Sequence, residues 1–244
     1  MRILFSVLSF FALPSLLMAQ AKTSKLDIVH LTGDAYVYST YHDYKGSRIS
    51  SNSMYLLTNE GAVLFDTPWD STQFQPLLDS IKLKHGKQVV LCIATHSHED
   101  RTGGLEFYRN QGIKTYTTRQ TDLISQVKHE KRAEFLLKKD TTFKVGQYAF
   151  QTFYPGPGHA PDNIVIWVNK SKILYGGCFV KSTEASDLGN WADANVAAWP
   201  QSIKNGQQRF KYPKFVIPGH QGWSSRLSLI HTLDLIATYQ RSKH

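Results

Sequence analysis

Apolar residues in this chain come mostly in short runs separated by turn residues, which is the pattern of strands. Asp27 to Leu31, Ala35 to Ser39, Ser53 to Leu57 and Ala62 to Asp66 are β-rich runs, divided by Gly33-Asp34, Lys45-Gly46 and Asn59-Glu60-Gly61. Together they predict a meander. Phe74, Leu77, Leu78 and Ile81 then fall at the i, i+3, i+4, i+7 spacing of an amphipathic helix, entered through Asp70-Ser71-Thr72 and ended by Gly86. Val89 to Ala94 is a continuous apolar run, as expected of a strand buried on both faces, and it leads straight into Thr95-His96-Ser97-His98-Glu99-Asp100.

The second half repeats the style. Strands are predicted at Lys144 to Phe153, Ile164 to Val168, Ile173 to Tyr175 and Phe215 to Ile217, and helices at Asp193 to Phe210 and Leu227 to Tyr239. In the last helix Leu229, Ile230, Leu233, Ile236 and Ala237 make one face. Two β-rich halves, each carrying helices with a single apolar face, predict an α/β chain folded as a four-layer αββα sandwich: two mixed β-sheets packed together, with helices on the outer faces. No linker-like stretch divides it.

Met1-Arg2, the apolar run Ile3 to Met18 and Ala19-Gln20-Ala21 read as a cleaved secretory signal. The run is short for a membrane span and interrupted by Ser6, Ser9, Pro14 and Ser15, and no cysteine follows it to carry a lipid. Residues 1–21 are therefore set apart as a signal peptide and 22–244 as one domain, exported most simply to a periplasm.

Composition changes this picture little. With 244 residues, 41% hydrophobic and 19% charged, the chain reads as one globular domain. A formal charge of +9 favours anionic partners without naming them, and plain solubility explains it as well. Cys92 and Cys178, the two cysteines, are too few for a disulfide framework.

The strongest chemical signal is His96-x-His98-x-Asp100, three good zinc ligands within five positions at the end of the buried strand. Alone, a His-x-His is as often a pair of surface histidines. Three further ligand types stand beside glycines at the ends of apolar strands: Gly158-His159, Gly176-Gly177-Cys178 and Pro218-Gly219-His220. Six such residues at strand-to-loop junctions are what two adjacent zinc ions need if each keeps room for water. His30, His42, His85, His129, His231 and His244 lack those flanks and read as ordinary surface or packing residues.

This set of motifs resembles the metallo-β-lactamase superfamily, and within it the zinc β-lactamases whose second metal uses a cysteine. Arg101 stands where many relatives that act on thioesters, lactones or phosphodiesters carry a histidine, and Cys178 stands where they supply a bridging aspartate. The resemblance runs from about Leu26 to Tyr239. It implies His96, His98 and His159 on a first zinc, and Asp100, Cys178 and His220 on a second. It implies hydrolysis of the ring amide of penicillins, cephalosporins and carbapenems by a zinc-bound hydroxide, without a covalent intermediate, and hence antibiotic resistance. Asp100 would orient that nucleophile. Lys181 matches the position that pairs with the substrate carboxylate, and Asn190 the loop position whose amide approaches the lactam carbonyl. Tyr41 to Ser51 resembles the mobile hairpin that covers substrate.

Asp66 is expected to accept hydrogen bonds from loop amides near the metals, Arg101 to lie beneath the site balancing Asp100 and Cys178, and Cys92 to be a buried inert thiol, a Cys92–Cys178 disulfide being the alternative. Ala160 departs from the family run, where a hydroxyl residue commonly follows the histidine. Rival readings are a thioesterase or lactonase on the same fold, a non-enzymatic exported zinc binder, and a basic nucleic-acid binder. The expected partner is a small β-lactam, with no nucleic acid, no stable membrane anchor and a monomeric state.

Overall fold

The computed structural model describes residues 25–44, 46–137 and 140–243. The signal-peptide reading of 1–21, the turn residue Lys45 and His244 lie outside the described residues. Strands β1 (Leu26–Thr32), β2 (Ala35–Tyr44), β3 (Ser47–Thr58), β4 (Gly61–Phe65), β5 (Val89–Ile93), β6 (Lys114–Thr118) and β7 (Phe135–Leu137) form one sheet in that order. Its first four strands are antiparallel, and β4 through β7 run parallel. Strands β8 (Thr142–Val145), β9 (Tyr148–Phe153), β10 (Val165–Val168), β11 (Ile173–Gly177) and β12 (Phe215–Pro218) form the second sheet, antiparallel except for the parallel β11–β12 pair. Both sheets are mixed.

The helices are α1 (Phe74–His85), α2 (Glu99–Thr102), α3 (Leu105–Asn110), α4 (Arg119–Lys128), α5 (Trp199–Arg209) and α6 (Ser228–Arg241). Strand alternation sorts the core into layers. Val37, Met54, Phe65 and Ile93 meet Phe150, Ile166, Tyr175 and Ile217 between the sheets. Tyr38, Tyr55, Leu64 and Cys92 point outward, onto Phe74, Leu77 and Ile81 of α1 and Leu105 and Tyr108 of α3. On the other side Val165, Trp167, Leu174 and Val216 pack on Trp199 and Ile203 of α5 and Leu229, Leu235 and Ile236 of α6. This is the four-layer αββα arrangement.

The predicted helix after Asp70 is present, with Asp70 accepting from the Thr72 N–H at the head of a single 3₁₀ turn and Gly86 closing α1 at φ 64°. Three differences from the sequence pattern have physical causes. The run 144–153 is two strands, because Gly146, at φ 52°, turns the chain into a hairpin. The helix expected from Asp193 begins at Trp199, with the Asn195 side chain accepting from the Ala198 N–H; 193–198 is irregular. The segment from Lys114 to Leu137 adds two strands and a helix that its polar sequence did not announce.

Candidate metal centre and cleft

Both sheets present strand ends at one edge of the sandwich, and the chemistry-bearing residues collect there. β5 ends at Ile93, and the next turn delivers His96 and His98, with Asp100 and Arg101 in the short α2. His159 lies between β9 and β10, Cys178 follows β11, and His220 follows β12. Crowding at these ends is severe: a side-chain carbon on Gly219 would come within 2.6 Å of the Cys178 nitrogen, and one on Gly158 within 2.7 Å of the Phe179 ring. Glycine at both positions is therefore a steric requirement.

The six candidate ligands form two adjoining triads. Nδ1 of His98 lies 3.1 Å from Nε2 of His96 and 3.1 Å from Nε2 of His159. Ligand nitrogens on a tetrahedral zinc with bonds near ~2.0 Å stand about 3.3 Å apart, so this spacing fits one ion. Cys178 Sγ is 3.1 Å from Nε2 of His220 and 3.5 Å from Oδ2 of Asp100, and His220 Nε2 is 3.4 Å from that oxygen. His96 also groups with Asp100 and Cys178, their donor atoms lying within 4.8 Å of one another. The nitrogen, oxygen and sulfur donors are of the kinds zinc takes.

Electrostatics favour the ligating forms of His96, His159 and Asp100, while His220 is held in its protonated form, from which a metal would have to displace the proton. Burial pulls His96 and His159 well below the usual imidazole range, helped by His98 beside the first and Lys181 beside the second, so both rings are neutral. Burial resists ionisation of Asp100, but Arg101, 2.8 Å away, together with His220 and His96, outweighs it and holds the carboxyl well below the usual range. At His220 burial is likewise outweighed, here by Cys178 and Asp100, and the ring is held up at about 9.

Arg101 is fully buried and serves as the floor of the site. One guanidinium nitrogen donates to Cys178 Sγ at 3.0 Å and to the Gly219 carbonyl at 2.9 Å, and the other to the Asn52 carbonyl at 2.7 Å. Asp66 closes this network from below. It accepts from the Thr95 N–H at 2.6 Å, the Thr95 hydroxyl at 2.8 Å and the Tyr175 hydroxyl at 2.6 Å, and pairs with Arg101 at 3.4 Å. Burial nonetheless pushes Asp66 up to about 6. Its backbone sits at φ 65°, a conformation that aspartate tolerates better than most residues. Cys92 and Cys178 are both free thiols, and burial pushes Cys92 well up.

The triads open into a cleft of about 480 Å³, within the range of small-molecule sites. Lys181 lines it and is buried, its Nζ 5.5 Å from the Trp199 ring centre. Asn190 stands at the exposed rim, its oxygen accepting from the Ala192 N–H at 3.3 Å. Tyr44 and Ile49 of the β2–β3 hairpin form another wall with Trp69.

Sequence reasoning missed several of these residues. Asp193 accepts from His98 Nε2 at 2.9 Å, and Lys128 donates to the same Asp193 oxygen at 2.6 Å. His42, read as an ordinary surface or packing residue, packs on Trp69 with ring centres 4.8 Å apart, and Trp69 lines the cleft. No sequence signal marks Lys128 or Asp193, which lie 65 positions apart. Ala160 is buried, and Nδ1 of the neighbouring His159 has no hydrogen-bond partner among the described residues.

Comparison with known proteins agrees with this geometry. The family model described as the Metallo-beta-lactamase superfamily matches residues 46–220. The chain is 41% identical over 222 residues to a protein named Metallo-beta-lactamase type 2 from Elizabethkingia meningoseptica, covering 91% of this chain and 89% of the relative. It is 38% identical over 230 residues to Metallo-beta-lactamase IND-1 from Chryseobacterium indologenes, covering 93% and 96%. Among solved structures, a metallo-beta-lactamase from Pontibacter korlensis superposes with a TM-score of 0.84 at 35% identity, over 87% of this chain and 99% of that one.

Proposed function

The chain belongs to the metallo-beta-lactamase superfamily, and from that premise we propose that it hydrolyses the ring amide of β-lactam antibiotics with two zinc ions. The observation that carries the reading is the pair of adjoining triads at the floor of a cleft that also holds a buried lysine. His96, His98 and His159 would hold one zinc, and Asp100, Cys178 and His220 the other. Bound zinc supplies Lewis acidity toward the amide and lowers the pKa of a water to about 7.

The chain's own residues then have distinct tasks. Lys181 offers a cation to the substrate carboxylate from a site where water screens it little. Burial pulls its pKa down, which marks an ammonium that gains from an anionic partner. Asp100 stands between Arg101 and the Cys178–His220 pair, placed to orient an attacking water with a carboxylate that Arg101, His220 and His96 together keep ionised. Asn190, on the exposed rim, would approach the lactam carbonyl directly or through a water. The hairpin wall of Tyr44 and Ile49 would cover apolar substituents. No side chain is asked to form a covalent bond to substrate.

The finer reading is a single catalytic domain at 22–244, delivered to the periplasm by a leader at 1–21, monomeric, and with carbapenems among its substrates. No helix among the described residues is long and apolar enough to cross a membrane. The test is loss of carbapenem ring absorbance with purified protein, zinc and then a chelator. Rapid loss that the chelator abolishes is expected. Intact drug with two zinc equivalents bound would exclude that substrate class, and thioesters and lactones would be tried next.

A further inference from the structure

We propose that Lys128 is a positioning residue for the three-histidine triad, acting through Asp193 to hold His98 in the tautomer that presents Nδ1 to a metal. The proposal rests on the reading of His98 as a ligand. His98 turns Nδ1 toward His96 and His159 and Nε2 toward Asp193. A neutral imidazole that offers a lone pair at one nitrogen carries its proton on the other, so the carboxylate at 2.9 Å selects the tautomer and the ring angle.

Asp193 lies in the irregular stretch before α5 with its side chain 31% exposed, and the hydrogen bonds of that stretch, Ala194 N–H to the Trp191 carbonyl and Asn195 N–H to the Gly158 carbonyl, hold its backbone and not its carboxylate. The partners of the carboxylate come from elsewhere in the fold. Lys128 is the last residue of α4, and its Nζ donates to Asp193 Oδ2 at 2.6 Å, the same oxygen that His98 uses. Two donors converging on one oxygen leave the carboxylate little freedom to rotate, and the salt bridge ties the 193–198 segment to the end of α4. Lys128 also lines the cleft, which suggests a rival role in gripping an anionic substrate. The short bond to Asp193 already engages its charge, which favours the positioning role.

The experiment measures metal affinity at the three-histidine triad, with cobalt(II) as spectroscopic probe and zinc in competition, for Lys128→Met and Lys128→Arg, each alone and combined with Asp193→Asn. Lys128→Met is expected to weaken binding about fivefold, less than the ~10–100-fold typical of a group bonded directly to a ligand. Lys128→Arg should recover most of the loss. In the Asp193→Asn background Lys128→Met should add nothing, and substrate KM should stay unchanged. Unchanged affinity in Lys128→Met, a full additional loss in the Asp193→Asn background, or a raised KM at constant affinity would each overturn the proposal. His98→Ala separates the two levels: if it leaves the cobalt bands of this triad intact, the ligand reading itself fails, whereas bands lost there with no effect of Lys128→Met sink the Lys128 proposal alone.

Discussion

The two triads sit side by side but rest on different supports. Asp100 and Cys178 lean on Arg101, a guanidinium with 0% exposure, itself held by Asp66, Tyr175 and backbone carbonyls from two sheets. His98 leans on Asp193 and Lys128, whose side chains are 31% and 41% exposed. In the first case packing removes the ligands' freedom, and solvent has no access to the charges that hold them. In the second, an ion pair at the surface does the holding, and it weakens as salt rises. One support is a part of the core; the other is adjustable from outside.

Replacing Arg101 with methionine should have the largest effect, since it strands the buried Asp66 and Asp100 carboxylates. A loss of about 3–5 kcal/mol in the metal-free protein is expected in urea unfolding. A shift under 1 kcal/mol would erase the distinction between the two supports. Cys178→Ala should keep the fold but lower bound zinc from two equivalents to one, with kcat/KM falling on the order of 10²-fold; elemental analysis and steady-state rates decide it. Asp193→Asn attacks the outer support instead. Metal affinity of the three-histidine triad should fall about 10–100-fold, while metal-free stability moves by no more than about 1 kcal/mol.

The cleft repeats the contrast on a smaller scale. Lys181→Ala removes a buried cation and should raise KM about tenfold with kcat nearly kept. If kcat falls and KM does not, Lys181 does not anchor the ground state. Asn190→Ala removes a rim group whose oxygen is already engaged with Ala192, and should change kcat/KM less than about threefold.

What the sequence made legible follows the same division. Strands that bury apolar faces and α1 with its Phe74, Leu77 and Ile81 stripe were readable, because the positions they turn to the core carry apolar residues, and the candidate ligands stood out because they follow apolar strands. α4 was not readable. It buries Thr121, Asp122 and Ser125 and exposes Leu123 and Val127, the inverse of an amphipathic signal, because its polar side chains bond Thr118 and Arg132. The Lys128–Asp193–His98 chain was hidden for a related reason. Its members come from a helix whose apolar residues Leu123 and Val127 face outward, from a segment that reads as helix and is not, and from the visible motif, so only the fold assembles them.

The origin of the candidate ligands in both sheets has a further consequence. His96, His98 and Asp100 follow β5 of the first sheet, while Cys178 and His220 follow β11 and β12 of the second. An ion gripping either triad therefore acts as a reversible crosslink across the sandwich, closing chain loops as a disulfide would. A ligand that binds only the folded chain adds about 4 kcal/mol at a thousandfold excess over its Kd. Scarcity of zinc would then act on the lifetime of the protein as well as on its turnover: an emptied chain opens more often along the seam between its sheets, and proteases would clear it.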